Sequence, residues 1–221
     1  GLPAIITIVL AIGTRRMARQ RAIVRRLPAV ESLGSVTVIC SDKTGTLTRN
    51  EMTVVRLMLP DGEVQVSGSG YAPVGGFHRG QDHVDPLAED GIVRLSRCAL
   101  LCNDARIHRD GQGAWILTGD PTEGALTALA HKAGLDATVG AQTHPRLDAI
   151  PFESERQYMA TLHHDHAGHH ELLLKGAPER VLALCVREAD GRPLDLARWT
   201  AAIERAGGAG ERVLALARCD W

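Results

Sequence analysis

The hydrophobic residues of the first fifty positions fall into two dense runs separated by a basic stretch. The first run extends from Gly1 to Ile12, and six arginines follow it between positions 15 and 26. This run is shorter than the ~20 residues that span a bilayer, but an apolar segment followed by an arginine cluster is typical of the cytoplasmic end of a membrane helix. A buried helix with a basic surface extension is the alternative.

The second run, from Val36 to Ser41, is apolar and rich in β-branched residues, with glycines on both sides. A pattern of this kind predicts a buried strand. Asp42 would then stand at the carboxyl end of that strand, which is where open α/β sheets keep their reactive groups. Gly45 allows the chain to turn tightly just after it.

From position 50 onward, the spacing of apolar residues predicts alternating strands and helices. Asn50 to Leu59 alternates in polarity, and the turn Pro60 to Gly62 would join it to a second strand in a hairpin. Asp120 followed by Pro121 is typical of a helix start. The other predicted elements are an exposed loop over 67–80, a helix over 87–102, strands over 114–118, 157–162, 171–174 and 211–217, and helices over 121–133, 178–185 and 195–206.

Composition narrows the choice of function. The chain has 221 residues, 44% of them hydrophobic, which is enough for a packed core in one or two domains. A net charge of −1 gives no reason to expect a nucleic-acid partner. Five cysteines, an odd number, indicate a reducing compartment. Cys98 and Cys102 lie four residues apart on a predicted helix, where core packing is a better interpretation than a metal site.

The run from Asp42 to Thr48, Asp-Lys-Thr-Gly-Thr-Leu-Thr, carries the most specific chemical signal. A carboxylate beside amides and hydroxyls that can face an anion indicates an acceptor of a phosphoryl group. The run resembles the phosphorylation motif of the P-type ATPases, ion pumps of the haloacid-dehalogenase-like superfamily. The resemblance implies that Asp42 is phosphorylated, that Lys43 and Thr44 counter the charge of the transferred group, and that Asp42 and Thr44 belong to an incomplete Mg²⁺ site. Superfamily phosphatases carry a second Asp where this chain has Thr44, and that Asp transfers a proton as general acid and base. Threonine cannot take this role, which favours a long-lived phosphoenzyme.

Further stretches resemble the nucleotide-binding domain of the same pumps. They are Pro121 to Leu126, Pro151 to Ser154, Lys175 to Glu179 and Arg212 to Ala217. The resemblance implies an ATP site in which Glu123 lies near the adenine amino group, Phe152 stacks on the base, Lys175 and Gly176 line the pocket, and Arg212 contacts the phosphates. Without the resemblance, Glu123 is interpreted as an acid favoured by the helix dipole, Phe152 as a core aromatic and Lys175 as an exposed strand-end charge.

Two features near this site need separate interpretations. Gln157 stands where many relatives carry Lys, so the resemblance implies that one contact to the nucleotide is missing. Five histidines lie between positions 163 and 170. A metal site is conceivable there, but a solvated hairpin with Asp165 and Gly168 at its tip is the simpler interpretation.

The implied fold is α/β. An α+β nucleotide-binding domain, with an antiparallel sheet flanked by helices, is inserted in a haloacid-dehalogenase-like Rossmannoid phosphorylation domain of which only the first strand and loop are present. We expect residues 1–26 to be the cytoplasmic end of membrane helix 4 and a basic stalk, because Gly1-Leu2-Pro3 resembles part of that helix in type II cation pumps. Residues 27–49 would begin the phosphorylation domain, and 50–221 would form a nucleotide-binding domain that is incomplete at its C-terminus.

The implied parent is a multi-pass membrane pump that uses ATP and Mg²⁺ and has this segment on the cytoplasmic side. The motifs most resemble those of calcium-type pumps, so Ca²⁺ is the expected cation, by analogy alone. We expect the segment by itself to bind adenine nucleotide weakly and not to turn over ATP efficiently. The alternatives are a soluble phosphatase or phosphotransferase of the superfamily, against which Thr44 argues, and a non-catalytic ATP-binding regulatory module, against which Asp42 argues.

Overall fold

The computed structural model describes residues 1–48 and 50–221, apart from the side chain of Thr44. The chain separates into two compact units, Gly1–Arg49 and Asn50–Trp221. The helices are α1 (Leu2–Arg19), α2 (Pro28–Gly34), α3 (Asp90–Leu101), α4 (Pro121–Lys132), α5 (Ala137–Thr143), α6 (Pro178–Leu184) and α7 (Leu196–Gly208). The strands are β1 (Arg56–Leu59), β2 (Gly62–Val66), β3 (Phe77–Arg79), β4 (Asp82–Val84), β5 (Arg106–Arg109), β6 (Trp115–Thr118), β7 (Arg146–Ile150), β8 (Tyr158–His164), β9 (His170–Gly176) and β10 (Ala215–Asp220).

Helices α1 and α2 form the regular part of the first unit. Each has a proline in its first turn, where the missing N–H costs no hydrogen bond. Neither helix has a fully buried residue, and apolar side chains such as Ile5 and Ile8 on α1 are more than half exposed. Within residues 1–48 and 50–221, no helix combines the length and the apolar character that crossing a membrane requires.

The strand predicted from Val36 to Ser41 does not form. The segment is irregular, and the side chains of Val38 and Ile39 are 73% and 87% exposed. Residues 1–48 contain no strand, so within this unit the segment has no strand beside it with which to exchange backbone hydrogen bonds. A β-branched run without such a partner cannot build a ladder or bury one face, which is why the prediction is wrong here.

The second unit is built from antiparallel sheets and the helices that flank them, as expected. The first sheet has the order β1-β2-β3-β4, the second pairs β5 with β6, and the third has the order β10-β9-β8-β7. The predicted hairpin at Pro60 to Gly62 is confirmed, with Leu59 opposite Gly62. The exposed loop predicted over 67–80 is interrupted by β3, and α7 continues to Gly208, two residues beyond its predicted end.

Helix α3 contributes to the core on two sides. One side carries Ile92, which is fully buried in a cluster with Leu57 and Phe77 of the first sheet and Leu126 of α4. The other side faces the third sheet, where it meets Leu173 of β9. The third sheet is therefore fixed against the same helix that holds the first sheet and α4.

Cys98 and Cys102 are part of this second contact. Both are buried and unoxidised, with their Sγ atoms 3.7 Å from the carbonyl oxygen of Leu174 and 3.6 Å from that of Met159, respectively. Burial raises the pKa of both thiols. Core packing is thus confirmed for this pair.

Candidate functional site

The third sheet brings residues that are distant in sequence to one of its ends. Lys175 and Gly176 are the last residues of β9, and Gly176 pairs with the first residue of β8 and with the first residue of β10. Strand β7 ends two residues before Phe152, and β10 begins three residues after Arg212. Because neighbouring strands are antiparallel, all four residues lie at the same end of the sheet.

Helix α4 adds Glu123 to this end of the sheet. The Oε1 atom of Glu123 lies 2.5 Å from Nζ of Lys175, and the two side chains are only 19% and 8% exposed. Lys175 is therefore a largely buried, paired cation, and its interpretation as an exposed strand-end charge is wrong. Water screens such a pair weakly, so either partner left alone would carry a large desolvation penalty.

The position of Glu123 follows from the start of α4. Oδ1 of Asp120 accepts hydrogen bonds from the backbone N–H groups of Thr122 and Glu123, at 2.8 and 3.2 Å. Pro121 occupies the first turn, so the helix start predicted from the sequence is confirmed. The carboxylate of Glu123 is thus carried by a capped, fixed first turn.

Asn103, which the sequence pattern did not single out, also fixes this turn. It is 8% exposed and follows the end of α3. Its Nδ2 donates to the carbonyl oxygens of Ala99 and Glu123, each at 2.9 Å, and its Oδ1 accepts from the N–H of Ala105 at 2.8 Å. An asparagine directly after a helical apolar pattern is a recognisable capping signal, but its second partner, twenty residues away, is not visible in the sequence.

Gly176 is required by the packing of the sheet itself. A Cβ at this position would lie 2.4 Å from the carbonyl oxygen of Gln157 and 2.6 Å from Cβ of Tyr158. Gln157 has a φ of 61°, and its carbonyl accepts from the N–H of Ala177 at 2.8 Å. Gln157 thus turns the chain from Phe152 back into β8 in a left-handed conformation, and any larger residue at 176 would displace that turn.

Phe152 and Arg212 supply exposed groups at this end of the sheet. The ring of Phe152 is 58% exposed and lies outside any strand, so its interpretation as a core aromatic is wrong. Arg212 is exposed and precedes β10, not within a strand as predicted. An accessible aromatic face and an accessible guanidinium are the groups that bind a base and a phosphate.

In the first unit, residues Lys43–Leu47 form a single π-helical turn after Asp42. Gly45 has a φ of 75°, and its N–H donates to Oγ1 of Thr48 at 3.4 Å. The N–H and hydroxyl of Thr48 both donate to the carbonyl of Lys43, at 3.0 and 3.2 Å. The carboxylate of Asp42 is exposed beside this turn. Thr48 closes the loop, a role that the sequence did not indicate.

The predicted Mg²⁺ site consists of Asp42 and Thr44. The exposed carboxylate of Asp42 is the kind of oxygen ligand that Mg²⁺ prefers, whereas the side chain of Thr44 lies outside what the structure describes. In the described part of the chain, no group of three or more His, Cys, Asp or Glu residues could hold a metal ion. Asp42 therefore fits Mg²⁺ as a single ligand, and water and phosphate oxygens would have to supply the others.

The histidines after position 162 lie on the predicted hairpin of strands β8 and β9, with Asp165 at the tip, but the hairpin is solvated only in part. His163 is 2% exposed; its Nδ1 donates to the carbonyl of His144 at 2.9 Å, and burial lowers its pKa. His169 is exposed and pairs with Asp165 at 2.8 Å, which raises the pKa of His169 and lowers that of Asp165 to about 2. No metal-binding group was found among the described residues.

A pocket of about 530 Å³ lies elsewhere in the second unit and contains none of the predicted site residues. Its walls include Thr127 and His131 of α4, together with Arg146 and His163. The candidate nucleotide residues instead form an open surface at the end of the third sheet. That surface gathers a paired cation, an exposed aromatic face and a guanidinium.

Comparison with known proteins identifies the family to which most of the second unit belongs. The family model described as "P-type ATPase, cytoplasmic domain N" matches residues 91–221. The chain is 52% identical over 220 residues to "Probable cation-transporting ATPase F" of Mycobacterium tuberculosis, covering 97% of this chain and 24% of the relative. It is 47% identical over 227 residues to "Cation-transporting ATPase pma1" of Synechocystis sp., covering 99% and 25%. It is 41% identical over 227 residues to "Calcium-transporting ATPase type 2C member 1" of Homo sapiens, covering 98% and 24%. The chain thus spans about a quarter of the length of these relatives.

Proposed function

Because the chain belongs to the P-type ATPases and includes their cytoplasmic domain N, we propose that it binds ATP at the end of its third sheet and accepts the γ-phosphate on Asp42. The observation that carries the proposal is the convergence of Glu123, Phe152, Lys175 and Arg212 at that end of the sheet. They come from four separate stretches of sequence, and an ATP site needs the chemistry that each of them offers.

Each group has a distinct task in binding. The exposed ring of Phe152 stacks on the adenine, an interaction worth ~1–3 kcal/mol per base. The carboxylate of Glu123 accepts a hydrogen bond from the adenine amino group, and the ammonium of Lys175, held beside it, faces the nucleotide. Gly176 keeps the strand end narrow, and the planar fork of Arg212 binds phosphate oxygens.

Phosphoryl transfer takes place at Asp42. A carboxylate oxygen of Asp42 forms a bond to the γ-phosphorus while the bond to the bridging oxygen of ADP breaks, so that ADP leaves and an aspartyl phosphate remains. Lys43 and Thr44 counter the negative charge on the transferred group. Mg²⁺, held by Asp42, Thr44 and the phosphate oxygens, would neutralise further charge.

In the whole protein, we propose that phosphorylation of Asp42 drives the transport of a cation across a membrane. The names of the relatives support a cation, and the type 2C relative supports Ca²⁺ in particular. The family also favours a pump over a soluble phosphatase, because the matching model describes a domain of a P-type ATPase. Uptake of radioactive Ca²⁺ into vesicles by a full-length protein that carries this sequence, lost in Asp42→Asn, tests this assignment.

The ATP site can be tested with the 221-residue chain. Isothermal calorimetry with MgATP should show binding that Phe152→Ala weakens by about tenfold or more, since it removes the stacking surface. Val139→Ala on α5 removes an equally accessible apolar side chain far from the end of the sheet and should leave the affinity unchanged. Equal affinities in the wild type and Phe152→Ala would contradict the proposed site.

Lys175→Ala should also abolish detectable binding, but it leaves Glu123 unpaired and can disturb the fold. Thermal unfolding of this variant is therefore measured beside calorimetry. Loss of binding in a variant that still unfolds cooperatively supports a direct role for Lys175. Retained binding with an unchanged affinity argues that the ammonium serves only the fold.

A further inference from the structure

Asn103 links the end of one helix to the start of another. Its Nδ2 bond to Ala99 is an ordinary contact at the C-terminus of α3, whereas its bond to Glu123 reaches the first turn of α4. Both N–H groups of the amide and its oxygen are used, all within 2.9 Å. A side chain that is 8% exposed and fully hydrogen-bonded in this way is held in one position.

The surrounding backbone leaves little freedom for this link. A Cβ at Gly119, immediately before the Asp120 cap, would lie 2.9 Å from Cα of Ala105, the residue whose N–H is bound by Asn103. The guanidinium of Arg146 donates to the carbonyl of Asn103 at 2.7 Å from the other side. The first turn of α4 is therefore fixed by Asn103 and its neighbours as well as by its own cap.

The carboxylate of Glu123 depends on this arrangement. Its Oε1 must lie within hydrogen-bond distance of Lys175, which belongs to β9 in a different part of the fold. A small shift of the α4 start would separate the two groups, because a charge-assisted hydrogen bond is short and directional. The groups that hold the main chain of Glu123 thus also determine where its side chain can meet a ligand.

We propose that Asn103 is a positioning residue for the nucleotide site: by fixing the main chain of Glu123, it sets the discrimination between a base that carries an amino group and one that carries a carbonyl. This inference rests on the proposed function. Adenine can donate its amino hydrogen to the Glu123 carboxylate, whereas hypoxanthine presents an oxygen that repels it. Only an amide supplies two donors and one acceptor at this site.

The test compares the affinities of the 221-residue chain for ATP and ITP by calorimetry. The wild type should bind ATP about tenfold or more tightly than ITP, because ITP leaves the carboxylate without a donor. In Asn103→Ala and Asn103→Asp the ratio should fall towards one. Ile92→Ala destabilises the same helix at the end opposite Asn103 and leaves the Asn103–Glu123 hydrogen bond in place, so it should keep the ratio even where it lowers the melting temperature.

A second comparison separates positioning from general destabilisation. In a Glu123→Gln background the carboxylate is absent, so adding Asn103→Ala should change the ATP/ITP ratio no further. A wild-type ratio in a folded Asn103→Ala or Asn103→Asp chain would overturn the inference. If neither variant folds, Asn103→Ser, which keeps one donor, should give an intermediate ratio, and a wild-type ratio in this variant would also overturn it.

Failure of the proposed function gives a different result. A wild-type chain that binds neither ATP nor ITP would refute the ATP site. The positioning role of Asn103 is then tested in the chain without a nucleotide. The carboxyl carbon signal of Glu123 in nuclear magnetic resonance spectra should shift in Asn103→Ala and stay unchanged in Ile92→Ala. An unchanged signal in Asn103→Ala would refute the positioning role itself.

Discussion

The two units of the chain carry their candidate chemistry in opposite ways. In Asn50–Trp221, the Glu123–Lys175 pair is largely buried and is held by a sheet and two helices. In Gly1–Arg49, Asp42 is exposed beside a single π-helical turn. Burial holds the first pair in place, whereas local hydrogen bonds from Thr48 shape the turn beside Asp42.

The difference shows which part of the proposed phosphoryl-transfer site is built from local contacts. A loop can hold a nucleophile accessible by short-range contacts alone, and a nucleophile that must be reached by a γ-phosphate benefits from exposure. A binding surface for a base and phosphates needs side chains from distant stretches, and only a packed core can hold them together.

Hydrogen exchange should reveal the largest difference. We expect backbone amides in β8 and β9 to exchange at least ~1,000-fold more slowly than those at positions 36–41, because the former open only with the core and the latter have no strand partner. Native-state exchange followed by mass spectrometry measures both in one sample of the whole chain. Comparable protection at positions 36–41 would show that the first unit is as firmly structured as the second.

Breaking the Glu123–Lys175 pair should have the next largest effect. Glu123→Gln leaves the ammonium of Lys175 buried without its counter-charge, so we expect the free energy of unfolding to fall by about 3–5 kcal/mol. Adding Lys175→Met should recover part of the loss, because it removes the orphaned charge. Urea unfolding of the wild type, both single variants and the double variant measures the coupling, and purely additive losses would mean that the pair is not a unit.

Two truncations, one in each unit, compare the stability lost when a buried and when an exposed side chain is shortened. Leu173→Ala removes a side chain that is 1% exposed, so we expect a loss of about 3 kcal/mol. Val38→Ala removes apolar atoms that are 73% exposed and should change stability by less than about 0.5 kcal/mol. Both values come from urea unfolding of the whole chain. A substantial loss in Val38→Ala would indicate that this segment is buried in solution.

Much of the second unit could be predicted because its signals are local. Asp120 and Pro121 mark the start of α4, and apolar runs on both sides of a polar tip mark β8 and β9. The strand predicted from Val36 to Ser41 is wrong because β-branched residues indicate only a preference for a strand. Whether a strand forms depends on a pairing partner, which the pattern of one segment does not contain.

The candidate site was harder to predict than the fold. Motif resemblance indicated Lys175 and Glu123 separately, but their ion pair joins residues 52 positions apart, and no short pattern encodes such a contact. The resemblance implies that Gly176 lines the pocket, and the structure adds a packing reason, because a Cβ there would clash with the carbonyl of Gln157. Asn103 was missed because its main effect is on the backbone of another helix.

Two histidines of the same hairpin should give the smallest effects, with opposite signs. His163 is buried, and its lowered pKa means that the unfolded chain takes up a proton first as the pH falls below about 6.5. Its contribution to stability is therefore lost on acidification. The pKa of exposed His169 is raised by Asp165, so its contribution is present below pH 6.5 and is lost as the pH rises through the folded-state value.

Urea unfolding between pH 5 and pH 8 distinguishes the two residues. His163→Asn should flatten the decline in stability below pH 6.5, even if it lowers stability at every pH, because the buried group no longer titrates. His169→Gln should instead remove a weaker change above pH 6.5, since the ion pair with Asp165 is exposed to solvent and screened. If both variants altered the profile in the same direction, burial would not be what separates these histidines, and the contrast between packed and exposed chemistry would fail within a single hairpin.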